Sequence, residues 1–225
     1  MDAYPSLPLP TFGGKQFWGD VFLYAGYRIQ QNVFTRHFRL LGPTRFAPSG
    51  DARLAVGSYE HCHATFHRLK AAKDIRPASD HAVLLLHGIF RSKDSFGPMT
   101  RRLCAEGFDA HAVNYPSTRQ TLEEHADQVE QVLERLEDTR EVSFVTHSMG
   151  GIVARVLLGR QGRPWRDRIR VNRLVMIATP NRGSELATRL DALPVTRTVA
   201  GPSLGQMALD RVDRIPLPTV PFGVV

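Results

Sequence analysis

The chain has 225 residues, 42% hydrophobic and 23% charged, with a formal net charge of +7. That length suits one large domain or two small ones with a sizeable core, and the composition excludes disordered, collagen-like and disulfide-stapled classes. No run approaches the roughly 18 apolar residues that span a bilayer, Asp2, Pro5, Pro8 and Pro10 break up any signal-peptide core, and two cysteines, Cys62 and Cys104, leave a reduced cytoplasmic setting as the default expectation.

In chain order, residues 1–16 are rich in Pro and Gly and read as an extended arm. Phe17, Val21, Tyr24, Ile29, Val33 and Phe34 recur mostly at three- and four-residue spacings, which predicts an amphipathic helix over 16–38. Core packing of its aromatic stripe is expected over a lipid-gathering role, because few Lys or Arg line the polar face. Residues 39–56 carry Gly42, Pro43, Pro48 and Gly50 and read as irregular with short strands. Ser58 caps a helix over 59–73, and 74–81, with Pro77, is a linker into the core. Residues 1–79 therefore read as an extension of helices and irregular segments packing on a core that occupies 80–225.

In that core the apolar run 82–86 suits a strand buried on both faces. A helix is predicted over 96–106, a strand over 110–115 and a helix carrying Leu122, Ala126, Val129, Leu133 and Leu136 on one stripe. Further along lie a strand over 142–145, a helix over 149–158, a strand over 174–178, a helix over 202–209 and a strand beginning near 220. The alternation implies βαβ units, a parallel sheet and helices on both faces. From residue 149 onward there are twelve arginines, no lysine and five acids. The surplus is densest over 160–173. No nucleic-acid motif accompanies it, so a solvated Arg-rich surface is expected and a nucleic-acid partner is not.

The strongest chemical signal is Val145-Thr146-His147-Ser148-Met149-Gly150-Gly151, between a predicted strand and a predicted helix. A sharp strand-to-helix turn projects its central side chain above the sheet and places it at a helix N-terminus, where free N–H groups favour developing negative charge. Ser148 is thus a candidate nucleophile, and the Met149 N–H a candidate oxyanion donor. Gly150 supplies the small residue the turn needs, whereas Thr146 stands where a glycine is usual. Leu86-His87-Gly88-Ile89-Phe90 comes directly after the 82–86 strand. An acyl-transfer site needs a second donor from another loop. Gly88 permits the tight turn, and Ile89 is the expected donor ahead of Phe90. His87 is expected to support that loop, and His147 to point away from Ser148.

His87-Gly88-Ile89, His147-Ser148-Met149-Gly150-Gly151 and Thr179-Pro180-Asn181-Arg182-Gly183-Ser184 together resemble the lipase/esterase branch of the α/β-hydrolases over about 80–225. Gly13-Gly14-Lys15-Gln16-Phe17-Trp18 and Arg28-Ile29-Gln30 resemble an extension of some bacterial members. The resemblance implies an α/β-hydrolase fold, a mostly parallel sheet, and serine-dependent hydrolysis of carboxylic esters with small-molecule or lipid-like acyl substrates. It implies neither cofactor nor metal. It also implies the chain order Ser, then Asp or Glu, then His. All nine histidines, at 37, 61, 63, 67, 81, 87, 111, 125 and 147, precede Ser148. Asp210 and Asp213 precede the last strand, beyond which the family's acid lies. The expectation is an incomplete C-terminus, with the triad acid and histidine absent and an open sheet edge near residue 225. The alternative is a non-catalytic binding protein or inactive fragment of the same fold. His61, Cys62, His63 and His67 have ligand character, but with no third ligand evident a polar helix surface is expected. Cys104 reads as a packed helix residue, and Ser184 as the cap of a further helix.

Overall fold

A computed structural model describes residues 14–44, 47–183, 201–207 and 209–225, and places them in two sheets. The first is antiparallel, in the order β1 (Trp18–Tyr24), β2 (Tyr27–Asn32), β3 (Phe38–Thr44) and β4 (Ala47–Gly57). The second contains β5 (His81–Leu86), β6 (Asp109–Val113), β7 (Glu141–His147), β8 (Arg170–Ile177) and β9 (Phe222–Val224), in the order β6-β5-β7-β8-β9 with every pair parallel. Helices α1 (Tyr59–Lys73), α2 (Gly97–Ala105), α3 (Leu122–Arg135), α4 (Met149–Gly159), α5 (Pro202–Gln206) and α6 (Leu209–Val212), with short 3-10 turns at Lys15–Phe17, Lys93–Phe96 and Pro164–Asp167, complete the described elements.

The parallel sheet is covered on both faces, as its strand sequences require. Along β5, Ala82, Leu84 and Leu86 enter a core shared with α3 and α4, while Val83 and Leu85 enter one with Phe96, Ala110 and Ala112 beneath α2. The stripe on α3 is buried as its period demands, and Thr121 starts the helix with a capping box: its Oγ1 accepts from the Glu124 N–H and Glu124 accepts from the Thr121 N–H. Ser58 caps α1 by accepting from the His61 N–H, and Asp74 closes it with φ 47°. The fold is α/β, with a mostly parallel sheet and helices on both faces.

The helix expected over 16–38 is instead the β1–β2 hairpin. Ala25 and Gly26 turn it with positive φ values of 45° and 83°, the two-residue arrangement whose twist suits a hairpin. The register shifts between Asp20 and Phe22, so a bulge at Val21 breaks the period of two and imitates helical spacing. β1 is also buried on both faces: Leu23 joins the large core, while Phe22 and Tyr24 join Tyr27, Ile29, Leu40, Cys62 and Phe66 under α1. The strands expected within 39–56 are present, but they are longer than expected: β3 and β4 pair along most of the segment. Cys104 is exposed rather than packed, and Ser184 lies outside the described residues.

A buried polar cluster fastens the antiparallel sheet to the parallel one. Asp20 accepts from Arg28 Nη1, Gln30 Nε2 and the Asn114 N–H at 2.7 Å each, and Gln128 Nε2 donates to the Asp20 and Asn114 carbonyls at 3.0 and 2.9 Å. Arg168, Arg170 and Arg173 are exposed, as a solvated Arg-rich surface predicts, but several arginines of 160–173 are also tied to α3. Arg163 grips Glu130 with two bonds of 2.6 Å, Arg160 and the Trp165 indole N–H join it at 2.8 and 3.0 Å, and Arg168 donates to the Leu133, Glu134 and Leu136 carbonyls at the end of α3. That is where cations are favoured by the helix dipole.

Candidate functional site

β7 ends at His147 and α4 starts at Met149, so the chain reverses character across one residue. Ser148 takes φ 52° and ψ −123° there, a conformation that costs a non-glycine residue about 1–3 kcal/mol. Two main-chain bonds hold it. The Ser148 N–H donates to the Ile177 carbonyl at 2.9 Å, and its carbonyl accepts from the Gly151 N–H at 3.0 Å. β7 is the central strand of five, so Ser148 stands at the carboxyl end of the sheet and at the amino end of α4.

The residues around the turn explain why it closes. A Cβ on Gly150 would lie inside the contact radius of the Leu86 carbonyl oxygen, and a Cβ on Gly151 would collide with the Thr179 side chain. Thr146, where glycine is usual, is fully buried and satisfies its hydroxyl by donating to the Val175 carbonyl at 3.2 Å. Neighbouring β8 thus accommodates the larger residue.

The loop after β5 reaches the same place. A Cβ on Gly88 would sit 3.1 Å from Ser148 Cβ and 3.2 Å from His147 Nδ1. Gly88 begins a turn closed by the Arg91 N–H on its carbonyl at 3.2 Å. Ile89 and Phe90 are the central residues of that turn, Phe90 at φ 60° and exposed. His87 lies fully buried beneath it. Its Nδ1 donates to the Gly88 carbonyl at 2.9 Å and its Nε2 accepts from the Tyr115 N–H at 3.4 Å, so both ring nitrogens are engaged. Burial lowers its pKa to about 4, keeping the ring neutral. Tyr115 stacks on it with 4.1 Å between ring centres, and the Tyr115 hydroxyl donates to the His87 carbonyl.

The fold therefore gathers Ser148, Met149, Gly150, His147, His87, Gly88 and Ile89 at one corner of the sheet. His147 is exposed beside Gly88. Among the described residues no hydrogen bond joins any of the nine histidines to the Ser148 hydroxyl. A cavity of about 600 Å³ lies between the β1–β2 turn and α2, lined by Arg28, Lys93, Arg101 and His111, and Ser148 is not in its wall.

Two residues that the sequence does not single out complete the corner. Tyr115 supports His87 from below. Arg155, buried on α4, donates to the carbonyls of Asn181 at 3.0 Å and Val212 at 3.3 Å and to that of Ile215, lashing the 181 loop and the approach to β9 onto the helix. A lone arginine in an apolar helix is the signal that could have found it.

No curated protein matches the chain. Solved structures do: a carboxylesterase of Nitrososphaera gargenis (20% identity, TM-score 0.44, 55% of this chain and 46% of that one), the phospholipase PlaB of Legionella pneumophila (20%, 0.48, 60% and 34%) and esterase B of Lactobacillus rhamnosis (16%, 0.45, 66% and 55%). The chain spans between about a third and a little over half of the length of these proteins. A family model described as Domain of unknown function (DUF7379) matches residues 52–198, more than half of the chain, and the protein belongs to that family.

Proposed function

We propose that the chain carries the nucleophile and oxyanion-binding half of a serine hydrolase for carboxylic esters with small-molecule or lipid-like acyl groups. The observation that carries this reading is Ser148 held at φ 52° between the central strand and α4, with the Gly88 loop against it. Strain of this kind at a strand-to-helix turn is common at reactive residues.

On this reading Ser148 Oγ attacks the acyl carbonyl. The carbonyl oxygen, now negative, is held by the Met149 and Ile89 N–H groups. The tetrahedral adduct collapses to an acyl-serine as the C–O bond to the alcohol breaks, and the alcohol takes a proton as it leaves. Water then hydrolyses the acyl-serine and restores the hydroxyl. Gly88 and Gly150 bring the two loops together, His87 props the first, and His147 lines the rim. The proton taken from Ser148 needs a base. His87 has both nitrogens engaged and is held neutral, so the reading gives it a supporting role and not that of the base.

Fluorophosphonate labelling tests this. Residues 1–225 alone are expected to label weakly or not at all at Ser148. Any longer polypeptide that the gene encodes should label there and hydrolyse p-nitrophenyl esters, with Ser148→Ala costing roughly 10⁴-fold or more in rate. Hydrolysis indifferent to that substitution removes the reading, and strong labelling of 1–225 would put the base among the present histidines. A non-catalytic binding protein of the same fold is the second reading, favoured by the lack of a histidine bonded to Ser148 among the described residues. It expects no labelling in any form.

A further inference from the structure

We propose that His63, His67 and Glu137 form a site for one divalent transition-metal ion, zinc foremost, that staples α1 to the far end of α3. The sequence shows two histidines four apart on one helix face but no third ligand. The fold supplies it two residues past α3. His63 Nε2 and His67 Nε2 are 3.1 Å apart, and Glu137 Oε1 lies 3.8 and 3.5 Å from them. Ligands 2.0–2.1 Å from a tetrahedral zinc ion stand about 3.3 Å apart, so one ion fits among these three atoms with little movement.

The ligands are already oriented. His63 is stacked on Tyr59 with 5.3 Å between ring centres and meets the edge of Phe22 at 5.4 Å, and His67 packs against Phe66 at 5.4 Å. Lys70 Nζ binds Glu137 Oε2 at 2.8 Å and Asp138 at 3.3 Å, which steadies the carboxylate while leaving Oε1 toward the histidines. The two rings now face each other through like nitrogens, an arrangement in which one must donate. Binding needs that donor ring to carry its proton on Nδ1 instead, freeing both Nε2 lone pairs for the ion. His67 and Glu137 are partly exposed, leaving room for water as a fourth ligand. Histidine with one carboxylate suits zinc, nickel or copper better than magnesium or calcium.

Chelator-treated protein is titrated with Zn²⁺ by calorimetry and with Co²⁺ by visible absorption. The expected result is one equivalent, with the intense visible bands of tetrahedral Co²⁺. His67→Gln and Glu137→Gln, both at partly exposed positions and checked for folding by circular dichroism, should each weaken binding on the order of tenfold or more. Zinc at a hundredfold over Kd should raise Tm by about 5–10 °C in the parent and leave the double variant unmoved. Absence of stoichiometric binding by the parent overturns the site. So does binding that survives both substitutions unchanged, since it places the ion elsewhere, for example on His61.

Discussion

Ser148 is strained and Gly150 is crowded, and the two make opposite predictions for substitutions two residues apart. Glycine tolerates positive φ without steric cost, so Ser148→Gly is expected to raise stability by about 1 kcal/mol, seen as a higher urea midpoint, while removing any labelling at that position. Gly150→Ala must push a methyl into the Leu86 carbonyl, which is main chain and cannot rotate aside. It should lower stability by about 2–3 kcal/mol. A Gly150→Ala protein as stable as the parent would mean that β5 and α4 are not in contact at this corner. Thr146 shows why motif departures need a structure. Its extra bulk is buried, yet its hydroxyl finds the Val175 carbonyl.

Between elements, the sharpest dependence is on Asp20. It gathers Arg28, Gln30 and the Asn114 N–H, and although burial pushes its carboxyl pKa up, Arg28 is the foremost group opposing that rise. Asp20→Ala leaves Arg28 buried with its nearest remaining acid, Asp51, at 3.9 Å. Removing one partner of a buried pair costs about 3–5 kcal/mol, measurable by chemical denaturation. Loss should fall first on the packing of the hairpin against the core, visible as faster amide exchange in β1 and β2. The sequence hid this hairpin because its regularity is broken where it matters: the Val21 bulge and two-sided burial leave an alternation that reads as a helix. By contrast α3 and β5 were legible, since one keeps a single apolar stripe and the other is apolar throughout.

For the molecule as a whole, pH is the informative variable. His87 and His125 are fully buried. Burial lowers their pKa values to about 4 and about 3, His87 also lowering His125. Unfolded histidines take a proton near pH 6.5, so between there and about pH 4 the unfolded chain binds more protons than the folded one. Stability should fall as pH drops through this window, by up to about 1.4 kcal/mol per pH unit for each histidine. Glu130 extends the loss. Burial would raise its carboxyl, but hydrogen bonds from Arg163, Trp165 and Arg160 outweigh this and bring it to about 2. Its contribution is complete above the ordinary 4.5 and disappears as pH falls toward 2. Urea midpoints at pH 7, 5.5 and 4.5 check the histidine part, and a flat profile would show that the two rings are not sealed from water in the native state.

The sequence by itself determined the α/β class, the strand–turn–helix around Ser148 and the loop expected to face it, because those features are written in local patterns: apolar runs, a helical stripe and small residues at a tight turn. Only the tertiary structure decided that residues 18–32 are a hairpin, that Glu130 absorbs arginines from another loop, that Gly151 makes room for Thr179, and that Glu137 joins two histidines from a distant helix. Apart from the hairpin, hidden by its bulge and its two-sided burial, each of these depends on groups far apart in the chain. Their encounter is fixed by packing and charge compensation across elements, which no local spacing records.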